Sequence, residues 1–203
     1  MTISSTDWRG PAMHPSEAAV STPGTIDAAT LYRAHAPFVA GFVARLGLGH
    51  ADVADVVQEV FLVAHRRGGY VPGPAKPTTW LAEIALRTVS TRRRTQRRKP
   101  EHSDPLALDA LVAHTVSPSD AAEHQEDLVR VQHALDAVPL ERRAVFVLFE
   151  IDGIACADIA TGLGVPISTI YSRLHIARQE FMHSFERLSA SGSDVRPANG
   201  DRP

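Results

Sequence analysis

Cysteine is nearly absent from this 203-residue chain, with Cys156 standing alone. A single thiol excludes an intramolecular disulfide framework and a cysteine-rich zinc site, and it makes a reducing, cytoplasmic compartment the default expectation. Long apolar runs are missing too. No stretch approaches the roughly 18 apolar residues of a membrane span, and the opening MTISSTDWRGPAMHPSEAAV lacks the basic start and apolar run of a secretory signal. Neither sign of charge is in excess, because 21 Lys and Arg stand against 23 Asp and Glu for a net charge of −2. The total therefore says nothing about a polyanionic partner; the distribution along the chain does. The ten histidines, from His14 to His183, never fall three or four residues apart and have no cysteine cluster beside them, so no metal ligand set is expected. Ser-His-Asp arrangements, Gly-rich phosphate loops and HExxH are absent as well. The sequence accordingly points to no catalytic residue, no metal and no cofactor.

What is present is 44% apolar and 22% charged, enough for ordinary cores in one or two domains. Alternating β-branched runs are almost lacking while helical spacing recurs, so the body is expected to be all-α, with two small helical domains joined by a flexible linker. Residues 1–25 and 189–203 read as flexible tails rich in Ser, Pro, Gly and Ala. The domains are expected at 26–99 and 121–188, with 100–120 as linker. In the first domain a helix over about 27–46 puts Leu31, Phe38, Phe42, Val43 and Leu46 on one side, and Pro37 is expected to kink or split it. A second helix from about Asp52 buries Val53, Val56, Val57, Val60, Phe61 and Ala64 and leaves Asp52, Asp55 and Glu59 on the opposite face, ending at Gly68-Gly69. After the proline-containing loop 70–77, Thr78 or Thr79 is expected to cap a third helix with Trp80, Leu81, Ile84, Ala85 and, further along, Val89 inward. Its end, residues 87–99, holds seven basic residues and no acid.

In the second domain, a helix over about 121–138 opens on acidic residues and closes at Pro139, and another over about 141–151 buries Val145, Leu148 and Ile151. Residues 154–178, IACADIATGLGVPISTIYSRLHIAR, fit a helix-turn-helix. Ile159 and Leu163 face inward, Ala160 permits a close crossing, Gly164 supplies the turn, and Val165, Ile170 and Leu174 pack the second helix back. Ser168 and Thr169 open that helix, and Tyr171, Ser172, Arg173, His175 and Arg178 project from it. These are groups that reach phosphates and base edges. Taken alone, the same pattern suits a helical hairpin with a polar face, and an arginine-rich helix end suits a solvated one. Their coexistence in one small helical chain favours nucleic-acid binding.

The segments ADVADVVQEVFLVAHRR (51–67) and TTWLAEIALRTVSTRRR (78–94) resemble region 2 of bacterial RNA polymerase sigma factors. The segment LDAVPLERRAVFVLFEIDGIACADIATGLGVPISTIYSRLHIARQEF (135–181) resembles their region 4. With only these two regions present, the resemblance is to the extracytoplasmic-function (ECF) subfamily and covers roughly residues 28–188. It implies that Asp55, Gln58 and Glu59 dock on the β′ clamp helices of core RNA polymerase, with region 4 meeting the β flap. It implies that the third helix opens and holds the minus-10 element of promoter DNA, with Arg87, Thr91, Arg92, Arg93, Arg94, Arg97 and Arg98 lining the strand. Trp80, in register with Leu81 and Ile84, fits the core better than a base-stacking role. The helix-turn-helix would read the minus-35 element through Ser168, Thr169, Tyr171, Ser172, Arg173, His175 and Arg178.

Three positions depart from the family pattern, and the first matters most. Where the family commonly reads IARNxxxD, this chain has Ile84-Ala85-Leu86-Arg87 with Thr91 at the acidic position. The resemblance thus implies strand binding there without fixing the base that is read. Tyr171 stands where a lysine or arginine is frequent, which leaves Arg173 and Arg178 as the expected phosphate or base contacts. Cys156, often aromatic in the family, reads as a small packing residue rather than a redox sensor. An anti-sigma factor is a further partner the resemblance implies. The competing readings are a sigma mimic that sequesters an anti-sigma factor and a stand-alone helix-turn-helix regulator. The mimic has no use for the arginine run, and the regulator has none for the DVVQE helix.

Overall fold

A computed structural model describes residues 24–98 and 118–192, with side chains over 24–96 and 126–190. Residues 1–23 of the expected tail 1–25, residue 99, residues 100–117 of the expected linker 100–120, and residues 193–203 lie outside the described residues. Every regular element described is helical, apart from one antiparallel bridge between Ile26 and Tyr70. The all-α expectation therefore holds.

The first unit contains α1 (Ala28–Arg45), α2 (His50–Arg66) and α3 (Pro77–Arg98), each packed against the other two. Asp27 starts α1 by accepting from the Thr30 amide at 2.8 Å and the Thr30 hydroxyl at 2.9 Å, an N-cap that satisfies an otherwise orphaned donor. The expected break at Pro37 does not occur: α1 runs through it as one helix. Proline removes one amide and crowds one turn, and packing of Leu31, Val39, Phe42 and Val43, all at most 1% exposed, holds both halves on the same core. Gly47 ends α1 at φ +85°, a left-handed position that a side chain would strain. α2 buries the apolar face read from its spacing, Val53, Val56, Val57, Val60, Phe61 and Ala64. At the start of α3, Pro77 takes the first helical position and the Thr79 hydroxyl donates to the Lys76 carbonyl at 3.0 Å. Thr79 is therefore a buried residue of the first turn rather than the cap.

The second unit contains α4 (Pro118–Asp136), α5 (Leu140–Phe146), α6 (Cys156–Leu163) and α7 (Ile167–Gly192), with α4, α5 and α6 all packed on α7. The single helix expected over 141–151 is instead α5 followed by one π-helical turn, Val147–Ile151. There the Asp152 amide bonds back five residues to the Val147 carbonyl at 3.0 Å. That wider turn changes the phase of the helix, and Ile151, expected inside, is 40% exposed. α6 closes at Gly164 with φ +65°, and the Val165 amide returns to the Ala160 carbonyl at 3.1 Å, the expected turn of the helix-turn-helix. Ile159 and Ile170 are fully buried at the crossing of α6 and α7, Leu174 is nearly so, and Leu163 and Val165 pack partly buried beside them. Cys156 lies in this core at 7% exposure, consistent with packing. α7 continues four residues into the segment read as tail.

Candidate nucleic-acid and polymerase interface

Asp55, Gln58 and Glu59 fall at i, i+3 and i+4 along α2, and all three are exposed on the side opposite its buried valines. Leu62, 45% exposed, extends the same strip by a turn. One turn toward the N-terminus, Asp52 forms a close ion pair with Arg92 of α3, whose guanidinium also lies 3.8 Å from Asp55. Arg92, expected to hold phosphate, is thus turned onto α2.

Its neighbours point elsewhere, because successive residues on a helix are about 100° apart. Arg93 donates to the Leu46 carbonyl at the end of α1, while Arg94 is exposed, as is Thr91. Arg87, with its side chain 73% exposed, pairs with Glu83 one turn back, and Glu83 also takes Arg67 at 3.2 Å. The side chains of Arg97 and Arg98 lie outside the described residues. The arginine run is therefore not one uniform stripe: of the three consecutive arginines, two brace the unit and one faces outward. Trp80 is partly buried, edge-on to Tyr70 at 5.6 Å with the Arg67 guanidinium 6.0 Å from its ring centre, and it belongs to the wall of the core as expected.

On α7, Ser168, Tyr171, Ser172, His175 and Arg178 are exposed, Tyr171 to 57%, and Thr169 and Arg173 are half-buried. Thr169 is anchored by its amide, which donates to the Pro166 carbonyl at 2.9 Å, and the Ser172 hydroxyl donates to the Ser168 carbonyl at 3.0 Å. His175 and Gln179 lie one turn apart with side-chain nitrogens at 3.4 Å. Arg173 pairs with Glu141 of α5 at 2.6 Å, and Arg178 pairs with Glu150 of the π-helical turn at 2.5 Å. The Arg178 guanidinium also sits 5.4 Å from the Phe149 ring centre. Between the start of α5 and the first turns of α7 lies a groove of about 490 Å³ lined by Glu141, Arg142, Ser168, Ser172 and Arg173. Arg142 holds its rim with a two-bond clamp on Glu180, at 3.0 and 2.6 Å.

Two polar residues that the sequence reading passed over are structurally central. Arg143 is only 3% exposed and donates to the Leu46, Val138 and Asp136 carbonyls and to the Asp136 carboxylate. Burial lowers the pKa of its guanidinium, the Asp136 carboxylate opposes that shift, and nearby Arg93 adds to it; an arginine nevertheless remains charged. Its spacing four residues before buried Val147, inside the phase of an apolar helix, was the available signal. Asp152 lies 3.5 Å from Arg45, but its second carboxylate oxygen is buried without a partner. Burial raises its pKa above the ordinary 3.8, and the Arg45 charge offsets only part of that.

Residues 31–99 match the family model described as Sigma-70 region 2, and residues 128–181 match Sigma-70, region 4. The RNA polymerase sigma-H factor of Pseudomonas aeruginosa is 30% identical over 157 residues, covering 74% of this chain and 81% of that protein. The ECF RNA polymerase sigma-E factor of Escherichia coli K12 is likewise 30% identical over 157 residues, covering 74% and 82%. Among solved structures, the sigma factor RpoE in complex with the anti-sigma factor NepR from Bartonella quintana aligns at a TM-score of 0.58 and 21% identity, over 76% of this chain and 94% of that one. CnrH in complex with the cytosolic domain of CnrY aligns at 0.52 and 22%, over 83% and 89%.

Proposed function

Because the chain belongs to the sigma-70 family, as an ECF sigma factor of transcription initiation, we propose how its residues divide that work. Asp55, Gln58 and Glu59 on the exposed strip of α2 dock on a basic surface of core RNA polymerase, the β′ clamp helices, where carboxylates beside apolar Leu62 suit a cationic partner. Region 4 sits on the β flap. Arg94, with Arg87, Thr91, Arg97 and Arg98, holds the single strand at the minus-10 element and so favours melting. The exposed side of α7, with Ser168, Thr169, Tyr171, Ser172, Arg173, His175 and Arg178, enters the major groove at the minus-35 element. Arg92 and Arg93 act from behind, bracing α3 on α2 and α1.

The observation that carries this reading is that one chain presents an exposed carboxylate strip on α2 and, on α3 and α7, two separate helices with exposed arginines. A stand-alone regulator would leave the strip unused. The chain supplies no chemistry itself; nucleotidyl transfer belongs to the polymerase. Its working compartment is the cytoplasm, in keeping with the finding that no described helix is long and apolar enough to cross a membrane. An anti-sigma factor is its inhibitor, a partner class supported by the similar sigma factor RpoE, solved with the anti-sigma factor NepR. The test is run-off transcription from fragmented genomic DNA of the source organism, using its core polymerase with and without the protein. New discrete starts that depend on the protein are expected, and their aligned upstream sequences give both elements. Binding to core without any start would overturn the promoter-reading half.

A further inference from the structure

Telling one base from another needs groups that differ between base edges, and the exposed face of α7 is short of the usual ones. In the major groove guanine is commonly read by Arg or Lys and adenine by Asn or Gln, whereas thymine is marked by its 5-methyl group, which an apolar side chain can touch. The early residues of a recognition helix are the ones that meet base edges. With successive residues about 100° apart, the exposed arc of α7 over residues 168–178 runs from Tyr171 through His175, Ser168 and Ser172 to Ile176, about 140° in all. No Arg, Lys, Asn or Gln falls on that arc. The nearest candidate, Gln179, comes a turn after His175 and lies against it, with side-chain nitrogens 3.4 Å apart.

The two ends of the arc are apolar and open: Tyr171 is 57% exposed and Ile176 40%. Between them the serines are short, and the Ser172 hydroxyl is turned back onto the Ser168 carbonyl at 3.0 Å. The cations lie outside the arc, Arg178 about 20° beyond Tyr171 and Arg173 about 60° beyond Ile176. Each is held there by a carboxylate, Glu150 and Glu141 respectively. Laid in a major groove, such a helix sets an arginine toward the phosphates at either edge and an uncharged surface against the bases. Ile176 also lines the groove between α5 and α7 together with Pro139, so its exposed surface continues into the wall of that groove.

We infer that Tyr171 and Ile176 are specificity-determining residues of region 4, which read the minus-35 element by contact with thymine 5-methyl groups while Arg173 and Arg178 hold phosphate. The inference rests on the assignment of α7 to the minus-35 element and narrows it to two side chains and one chemical group. It requires thymine, on one strand or the other, at positions of that element facing α7.

The test uses holoenzyme assembled with the full chain and a duplex promoter fragment mapped by run-off transcription, in which each thymine of the minus-35 element is replaced in turn by deoxyuridine. That replacement removes the methyl group and keeps the O4 acceptor. Losing contact with one CH₂-sized apolar group should weaken binding about fourfold at the positions that are read. Tyr171→Ala and Ile176→Ala should each abolish the difference between thymine and deoxyuridine at one such position, whereas Tyr171→Phe and Ile176→Val should keep it. A minus-35 element without thymine, or equal affinity for both bases at every position, would overturn the inference. So would alanine variants that lose affinity equally on both fragments, which would put these side chains against a protein surface instead. Hydroxyl-radical protection is read on the same complexes. Protection of the minus-35 element without a methyl effect removes the thymine contacts and leaves α7 as the reader; absence of protection removes the assignment of α7 and the inference with it.

Discussion

Glu141→Gln and Glu150→Gln together should tighten promoter binding, because each removes the carboxylate that holds an arginine of the reader helix. Arg173 and Glu141 have side chains 25% and 64% exposed, and Arg178 and Glu150 are at 51% and 33%. Pairs this accessible are worth about 0.2–1 kcal/mol each. If phosphate displaces glutamate on binding, freeing both arginines adds about 0.4–2 kcal/mol, roughly a two- to thirtyfold fall in Kd. The complementary pair, Arg173→Ala with Arg178→Ala, should flatten the plot of log K against log salt by up to about 1.8, at about 0.9 for each phosphate no longer neutralised. The assay is fluorescence anisotropy of holoenzyme on a mapped promoter fragment across a salt series, with circular dichroism as the check on folding. If the alanine pair leaves the salt slope unchanged, the arginines do not meet phosphate. If the glutamine pair changes neither affinity nor slope, the ion pairs persist in the complex and only fix α7 to α5.

Asp55→Arg combined with Glu59→Arg should abolish holoenzyme formation in gel filtration while helical content stays the same, since both side chains are exposed; normal assembly would remove the docking assignment. Ile170→Ala should lower the stability of region 4 by about 2–5 kcal/mol in denaturant titration, the range for truncating a fully buried aliphatic side chain. Asp152→Asn should stabilise the protein at neutral pH. The folded-state pKa of Asp152 is raised above 3.8 by burial, so its charge opposes folding at any pH above that raised value, and the penalty is withdrawn as pH falls through it toward 3.8. The stabilisation by asparagine should therefore shrink on acidification, and a gain that grew instead would contradict the sign.

Periodicity made the helices legible. The six buried positions of α2 and the crossing of Ile159 with Ile170 follow directly from three- and four-residue spacing. What spacing cannot carry is a change of helical phase, which is why Ile151 faces outward after the π-helical turn. Nor can it tell where a long side chain goes: Arg92, Arg93 and Arg94 are adjacent in sequence, yet one reaches α2, one the end of α1, and one solvent. Arg143 was missed for a related reason. Its place in an apolar phase is visible, but its acceptors are backbone carbonyls of other segments, and a pattern of residue types does not encode those.

The solitary thiol gives this protein a built-in clock. Cys156 is 7% exposed at the first turn of α6, the helix that meets α3. A thiol reagent in solution can reach its sulfur only when that turn loosens, so the rate of modification, divided by the rate for an unhindered thiol, counts the fraction of time the segment spends open. Because the chain has no second cysteine, every modified molecule of it reports one event at one place, with no engineered label.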